Sequence, residues 1–171
     1  SAETAAKLLA HLEARGARRI ALMTGQGRRA SHEETEAEYA RFCALRGMEP
    51  LAFRLTETNG VQGGHDATLK LLAERPDVDA ILAPVDVFAA GACQAAKEIG
   101  RRVPEDLLIA TRYDGPRSLA SAPPLTAVNL SLPVVAQEAV RMLTAMIEGH
   151  ETPRVVPSPE ARLVIRASTG G

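Results

Sequence analysis

The chain has no tryptophan, only two tyrosines and three phenylalanines in 171 residues. A surface that grips single-stranded nucleic acid by stacking needs aromatic faces, so that class is not expected. Charge of one sign is also lacking. The formal net charge is −1, which leaves no electrostatic footprint for a phosphate backbone or an acidic membrane. No apolar run approaches the ~18 residues of a membrane span. The opening SAETAAKLL does not place an apolar stretch after a basic one, so it does not read as a signal peptide. Cysteine is scarce. Cys43 and Cys93 each lie in a helix-like apolar pattern, which predicts buried free thiols and suits a reducing compartment.

Recognisable catalytic and metal-binding patterns are equally lacking. His11, His32, His65 and His150 are scattered without metal-ligand spacing. No Ser or Cys sits in a nucleophile elbow. Gly25-Gln26-Gly27 lacks both the third glycine of a dinucleotide fingerprint and the Gly-Lys-Ser/Thr of a phosphate loop. The sequence therefore predicts no enzyme, no metal and no cofactor.

What is present is a regular alternation. Hydrophobic residues make up 46% of the chain, and a domain of this size buries roughly 70% of its unfolded surface. Helical patterns at about residues 4–15, 32–46, 63–74 and 87–99 alternate with short apolar runs at about 19–24, 50–55, 80–83 and 107–111. Several helices stop at a glycine, the residue that takes a left-handed C′ conformation without strain. The runs are continuously apolar, as in strands buried on both faces. Alternation of this kind predicts an α/β fold, a mostly parallel sheet with helices on both faces. The last third departs from it. Pro123-Pro124 interrupts the chain, 125–130 is a short extended run, and Ser131 is placed to cap a helix over about 133–148. A proline-rich stretch and a final strand at about 161–166 follow.

In an open α/β sheet, ligands bind beyond the carboxyl ends of the strands. Those ends present residues 25–31, Glu57-Thr58-Asn59-Gly60, Pro84-Val85-Asp86 and Arg112-Tyr113-Asp114. Each has a plain structural reading. Ser31 and Glu34 have the spacing of a capping box. Asp86 stands where a helix N-cap belongs. Asp114 precedes Gly115-Pro116 and could serve a turn, but ligand binding is the better reading there.

Four stretches carry a family resemblance: AAKLLAHLEARGARRIALMTG, DAILAPVDVFAAGACQAAKEIGRRVPEDLLIATRYDG, PPLTAVNLSLPVVAQEAVRMLTAMIEG and LVIRAST. In this order, over nearly the whole chain, they resemble the C-terminal part of the effector-binding region of lactose-repressor-type (LacI/GalR) transcription regulators. The resemblance implies a periplasmic-binding-protein-like fold of two lobes with a small molecule in the cleft. It implies that residues 1–130 form the C-terminal lobe, that a crossing helix at 131–149 belongs to an N-terminal lobe not contained in this sequence, and that 150–171 return with the last strand. It also implies a cytoplasmic homodimer that reaches operator DNA only through an N-terminal head outside this sequence, and no membrane.

Site residues carry over by position. Asp114 matches the family's acidic residue for sugar hydroxyls, and Asp86 matches the Asp of an Asn-Asp pair whose Asn is here Val85. Thr35 stands where the family has an arginine, Leu130 where it has a polar residue, and Asn59 where sugar binders often place an aromatic. Ser31 lies on the same rim. The implied pocket is less polar than that of a typical sugar repressor, with Val85 and Leu130 favouring an apolar part of the effector. The effector implied is a small molecule, a sugar or sugar derivative. The rival reading is a solute-binding protein of a sugar-type transporter, which shares the fold. The VPEDL turn and the PPLT run favour the regulator.

Overall fold

The structure is a computed structural model and describes residues 2–171. The chain alternates as α1 (Ala2–Ala14), β1 (Ile20–Gly25), α2 (Ala30–Ala44), β2 (Ala52–Leu55), α3 (Gly60–Glu74), β3 (Ala80–Leu82), α4 (Asp86–Glu98), β4 (Leu108–Tyr113), α5 (Pro116–Ala120), β5 (Thr126–Asn129), α6 (Leu132–Ile147) and β6 (Arg162–Val164). The six strands form one sheet in the order β2-β1-β3-β4-β5-β6. The first five run parallel, and β6 pairs antiparallel with β5.

The alternation of side chains sorts the core into two layers. Leu22, Leu82 and Ala110 share one layer with Leu8, Leu9 and Leu12 of α1 and with Tyr39 and Phe42 of α2. Met23, Ile81 and Ile109 share the other with Leu71 of α3 and with Phe88 and Ala92 of α4. Strands β1 and β3 are buried throughout, as the continuous apolar runs require. Helices α3 and α4 touch through their backbones: a Cβ on Gly91 would run into the carbonyl oxygen of Val61, and one on Gly64 into that of Phe88. Cys43 and Cys93 are buried free thiols, and burial pushes Cys93 up to about 12.

Several local expectations are corrected. Strand β2 is an edge strand whose residues alternate between exposed and half-buried, because Leu51, Phe53 and Leu55 face the core while Ala52 and Arg54 face out. Helix α2 starts at Ala30 with Arg29 as its N-cap and no side-chain cap, so Ser31 is already helical and forms no capping box with Glu34. Helix α4 is flanked by Val85 at its N-cap, which makes Asp86 its first residue rather than its cap. Ser131 does occupy the N-cap of α6, but in a left-handed conformation and with no side-chain cap bond. Its N–H donates instead to Asn129 Oδ1 at 2.7 Å. The short helix α5 was not foreseen.

The C-terminal segment is bonded to α1 and to strands β4 and β5. His11 Nε2 lies 2.8 Å from Thr169 Oγ1, and Thr169 Oγ1 lies 2.6 Å from Thr126 Oγ1. Ser168 Oγ donates to Ile109 O at 2.6 Å. Arg15 donates to Gly170 O at 2.9 Å. Helix α6 behaves oppositely. None of its sixteen residues is buried, and Val140, Leu143, Met146 and Ile147 are 58–79% exposed. It does not fold back onto the sheet.

Candidate functional site

The sheet order reverses between β1 and β3: the chain first builds outward to β2 and then outward through β4 and β5 on the other side. At such a switch point the loops leaving neighbouring strands diverge and leave a crevice at their carboxyl ends. The loop after β1 carries Gly25 to Arg29, and the loop after β3 carries Pro84 and Val85. The end of β4 brings Arg112, Tyr113 and Asp114 to the same rim, and the end of β5 brings Asn129 and Leu130.

Asp114 is held on both oxygens. Arg166 Nη2 lies 2.5 Å from Oδ1, with only 14% and 13% of the two side chains exposed. Asn129 Nδ2 donates to Oδ2 at 3.1 Å. Arg166 is fixed in turn by donating to Leu125 O at 2.8 Å. Its backbone N–H donates to Thr126 Oγ1 at 2.8 Å. An ion pair this dry is rigid, because separating it would strand a charge in a poorly solvated place. Neither Arg166 nor Asn129 was picked out from the sequence. No short-range spacing could have found them, since Arg166 is 52 positions from Asp114.

Asp86 sits in the first turn of α4, where a negative charge complements the helix dipole, and its Oδ2 lies 3.3 Å from Arg117 Nε. Val85 is half-buried and packs on the α3–α4 core. Leu130 is half-buried on the opposite layer, against the α1–α2 core. Asn59 is exposed at the end of a short 3-10 turn that leads into α3. Ser31 is half-buried. Its carbonyl accepts the Thr35 hydroxyl at 2.7 Å, and Thr35 itself is 1% exposed. Thr35 is therefore turned into its own helix rather than toward open space, while Asn59 is exposed and Asp86 and Asp114 are partly buried beside their arginines.

A second cluster borders the rim beside β1. Glu57 Oε2 pairs with Arg29 Nη2 at 3.1 Å, and its Oε1 lies 3.6 Å from His32 Nε2. His32 is buried, with Nδ1 3.1 Å from Gly27 O. A Cβ on Gly25 would strike the His32 ring, which is why β1 ends on a glycine. Among the described residues no group of three His, Cys, Asp or Glu side chains is arranged to hold a metal ion. No described helix is long and apolar enough to cross a membrane.

Comparison with known proteins identifies the family and the fold. Residues 9–169 match the family model described as a periplasmic binding protein-like domain. The chain is 30% identical over 154 residues to the HTH-type transcriptional regulator CelR of Thermobifida fusca, covering 90% of this chain and 45% of that protein. It superposes on a LacI family transcriptional regulator from Bifidobacterium animalis subsp. lactis with a TM-score of 0.87 and 27% identity, over 98% of this chain and 60% of that one. A solved CelR–cellobiose complex gives a TM-score of 0.76 with 30% identity, over 92% and 48%. The chain thus spans about half the length of these relatives.

Proposed function

Because the chain belongs to the periplasmic binding protein-like domain family, as the effector-binding region of LacI/GalR-type regulators, we propose that it senses a small molecule for a transcription regulator. The observation that carries this is the reversal of strand order between β1 and β3 together with the clamped carboxylate of Asp114 on the same rim. A carboxylate fixed in place can accept from ligand hydroxyls without reorganising. Asp86 adds a second acceptor, and Asn59 offers an amide. Val85 and Leu130 supply apolar wall. A sugar or sugar derivative fits this mixture, as does the cellobiose bound by the related CelR.

In this reading residues 1–130 form one lobe and β6 completes its sheet. Helix α6 serves an opposing lobe, and closure of the two lobes over the effector biases the arrangement of the subunits on DNA. The protein works in the cytoplasm as a homodimer, and DNA is read by a part of the protein outside these residues. The relatives compared above are regulators rather than enzymes or transporter components.

The test is operator binding by the intact protein, followed by fluorescence anisotropy against a panel of mono- and disaccharides and their acids. At least one compound should change the affinity for DNA. Asp114→Ala should weaken that compound's binding by about 1–3 kcal/mol, as for a lost hydrogen bond to a charged group. Unchanged effector affinity in that variant would remove Asp114 from the site. A protein that binds no operator under any condition would overturn the regulatory reading.

A further inference from the structure

The charges on the rim do not balance, and the imbalance names a ligand class. The carboxylates of the site each have an arginine of the protein beside them: Asp114 has Arg166, Asp86 has Arg117 and Glu57 has Arg29, although Glu57 Oε1 itself has no hydrogen-bond partner among the described residues. Among the arginines on this rim, Arg112 differs. It is half-buried at the carboxyl end of β4, yet it makes no hydrogen bond or ion pair with a described side chain. Burial depresses its pKa first, the nearby charge of Arg29 depresses it further, and the carboxylate of Glu34 in α2 works the other way. Glu34 is itself engaged.

The backbone at this point is also irregular. The pairing of β4 with β5 passes from Ala110↔Thr126 to Tyr113↔Val128, so β4 fits one extra residue between those pairs. A bulge re-aims side chains and is favoured beside binding sites. The two residues inside it are Thr111 and Arg112. The Thr111 hydroxyl is fully buried and has no hydrogen-bond partner, and the Thr24 hydroxyl near the end of β1 is in the same condition. Orphaned buried hydroxyls are uncommon. Thr111 shares the bulge with Arg112, so the end of β4 is irregular both in its pairing and in its polar satisfaction, while Arg112 itself is only half-buried and keeps its guanidinium within reach of the rim.

We propose that the effector carries an oxyanion, a carboxylate or phosphate group, and that Arg112 is the residue that selects it. This rests on the reading that the rim holds a small molecule. A guanidinium offers a planar fork of donors that matches two oxygens of either group. Asp114, already neutralised by Arg166, does not repel such a ligand as a bare carboxylate would, and it remains available to the ligand's hydroxyls.

The experiment follows the Arg112 Nε–Hε resonance by NMR during titration with inorganic phosphate, with gluconate and with glucose, at ionic strength held constant with sodium chloride. The expected result is a saturable shift with phosphate or with gluconate and none with glucose; whichever anion acts separates a phosphate ester from a carboxylic acid. In Arg112→Gln the responding anion should bind at least about tenfold more weakly, and Arg112→Lys should recover part of the loss. Thermal unfolding of both variants establishes that they fold, and the wild-type titration stands without them. No saturable shift with either anion would overturn the proposal. So would an equal response to glucose, or undiminished anion binding by a folded Arg112→Gln. If no compound alters operator binding while the anion titration succeeds, the regulatory reading fails and this one stands.

Discussion

Strand β3 and helix α6 are the extremes of one chain. All three residues of β3 are 0% exposed, whereas α6, more than five times as long, buries none of its sixteen. Both are apolar, so composition does not separate them. What separates them is whether this chain supplies the second surface. The sheet has α1 and α2 against one face and α3 and α4 against the other. Helix α6 leaves the rim after Asn129 and Ser131 and meets no comparable layer. Its exposed large apolar side chains are Leu132, Val134, Val135, Val140, Leu143, Met146 and Ile147. At roughly 1.5–3 kcal/mol each, their burial would contribute on the order of 10 kcal/mol or more, comparable with the net stability of a whole domain. An isolated helix of this length is marginal in water. The lesson is that an element can be fully specified by its sequence and still depend on a partner surface for its stability. A second lobe or a second copy meets that requirement.

The contrast can be attacked from the buried side first. Leu82→Ala should destabilise the chain by about 2–5 kcal/mol in urea unfolding, the cost of a cavity where the surroundings cannot collapse. A loss below 1 kcal/mol would mean that the core is far looser than it is described. Arg166→Met should cost about 3 kcal/mol, because it leaves Asp114 desolvated and unpaired. Adding Asp114→Asn should return a large part of that, and a double variant as unstable as the sum of the singles would show that the two residues do not act as a pair. Gly91→Ala should cost about 1–3 kcal/mol by forcing α3 and α4 apart, and a neutral result would contradict the backbone contact.

A smaller effect comes from pH. Burial, and then Arg15, hold the pKa of His11 below the ordinary 6.5. The unfolded chain therefore binds the proton more readily than the folded one. The stability this group contributes is present above pH 6.5 and declines as pH falls through 6.5 toward the lower folded value. His65, bonded to Asp66 and Glu98, has its pKa raised, so its contribution is present below 6.5 and is lost as pH rises through the folded value. Titrating both imidazoles by NMR should show midpoints on opposite sides of 6.5. The smallest effect belongs to α6: Leu143→Ala should change the stability of the monomeric chain by no more than about 0.5 kcal/mol, against the large cost at Leu82.

Much of the fold was legible because β1, β3 and β4 are continuous apolar runs and helices of the alternation end at glycines such as Gly16 and Gly100, both with positive φ. The edge position of β2 was also written in its sequence, in the alternation of Leu51, Phe53 and Leu55 with Ala52 and Arg54, but it was overlooked in favour of the buried pattern of its neighbours. The start of α2 misled because Ser31 and Glu34 have capping spacing while the backbone turns helical one residue earlier. The rim itself follows from strand polarity, so the placement of Asp86 and Asp114 could be anticipated. Their partners could not. Arg166 and Asn129 reach Asp114 only through the pairing of β5 with β6 and the turn beyond it, and no local pattern encodes that. The same holds for Arg112, whose half-buried place in a bulge of β4, near Arg29 and Glu34, appears only in three dimensions.

The contrast between the buried sheet and the uncovered α6 is tested most directly by amide hydrogen exchange on the monomeric chain at low concentration. The account predicts that the amides of β1, β3 and β4 exchange only through global unfolding, while those of α6 exchange orders of magnitude faster and become protected when the intact protein assembles. Protection in α6 equal to that of β3 in the monomer would contradict it.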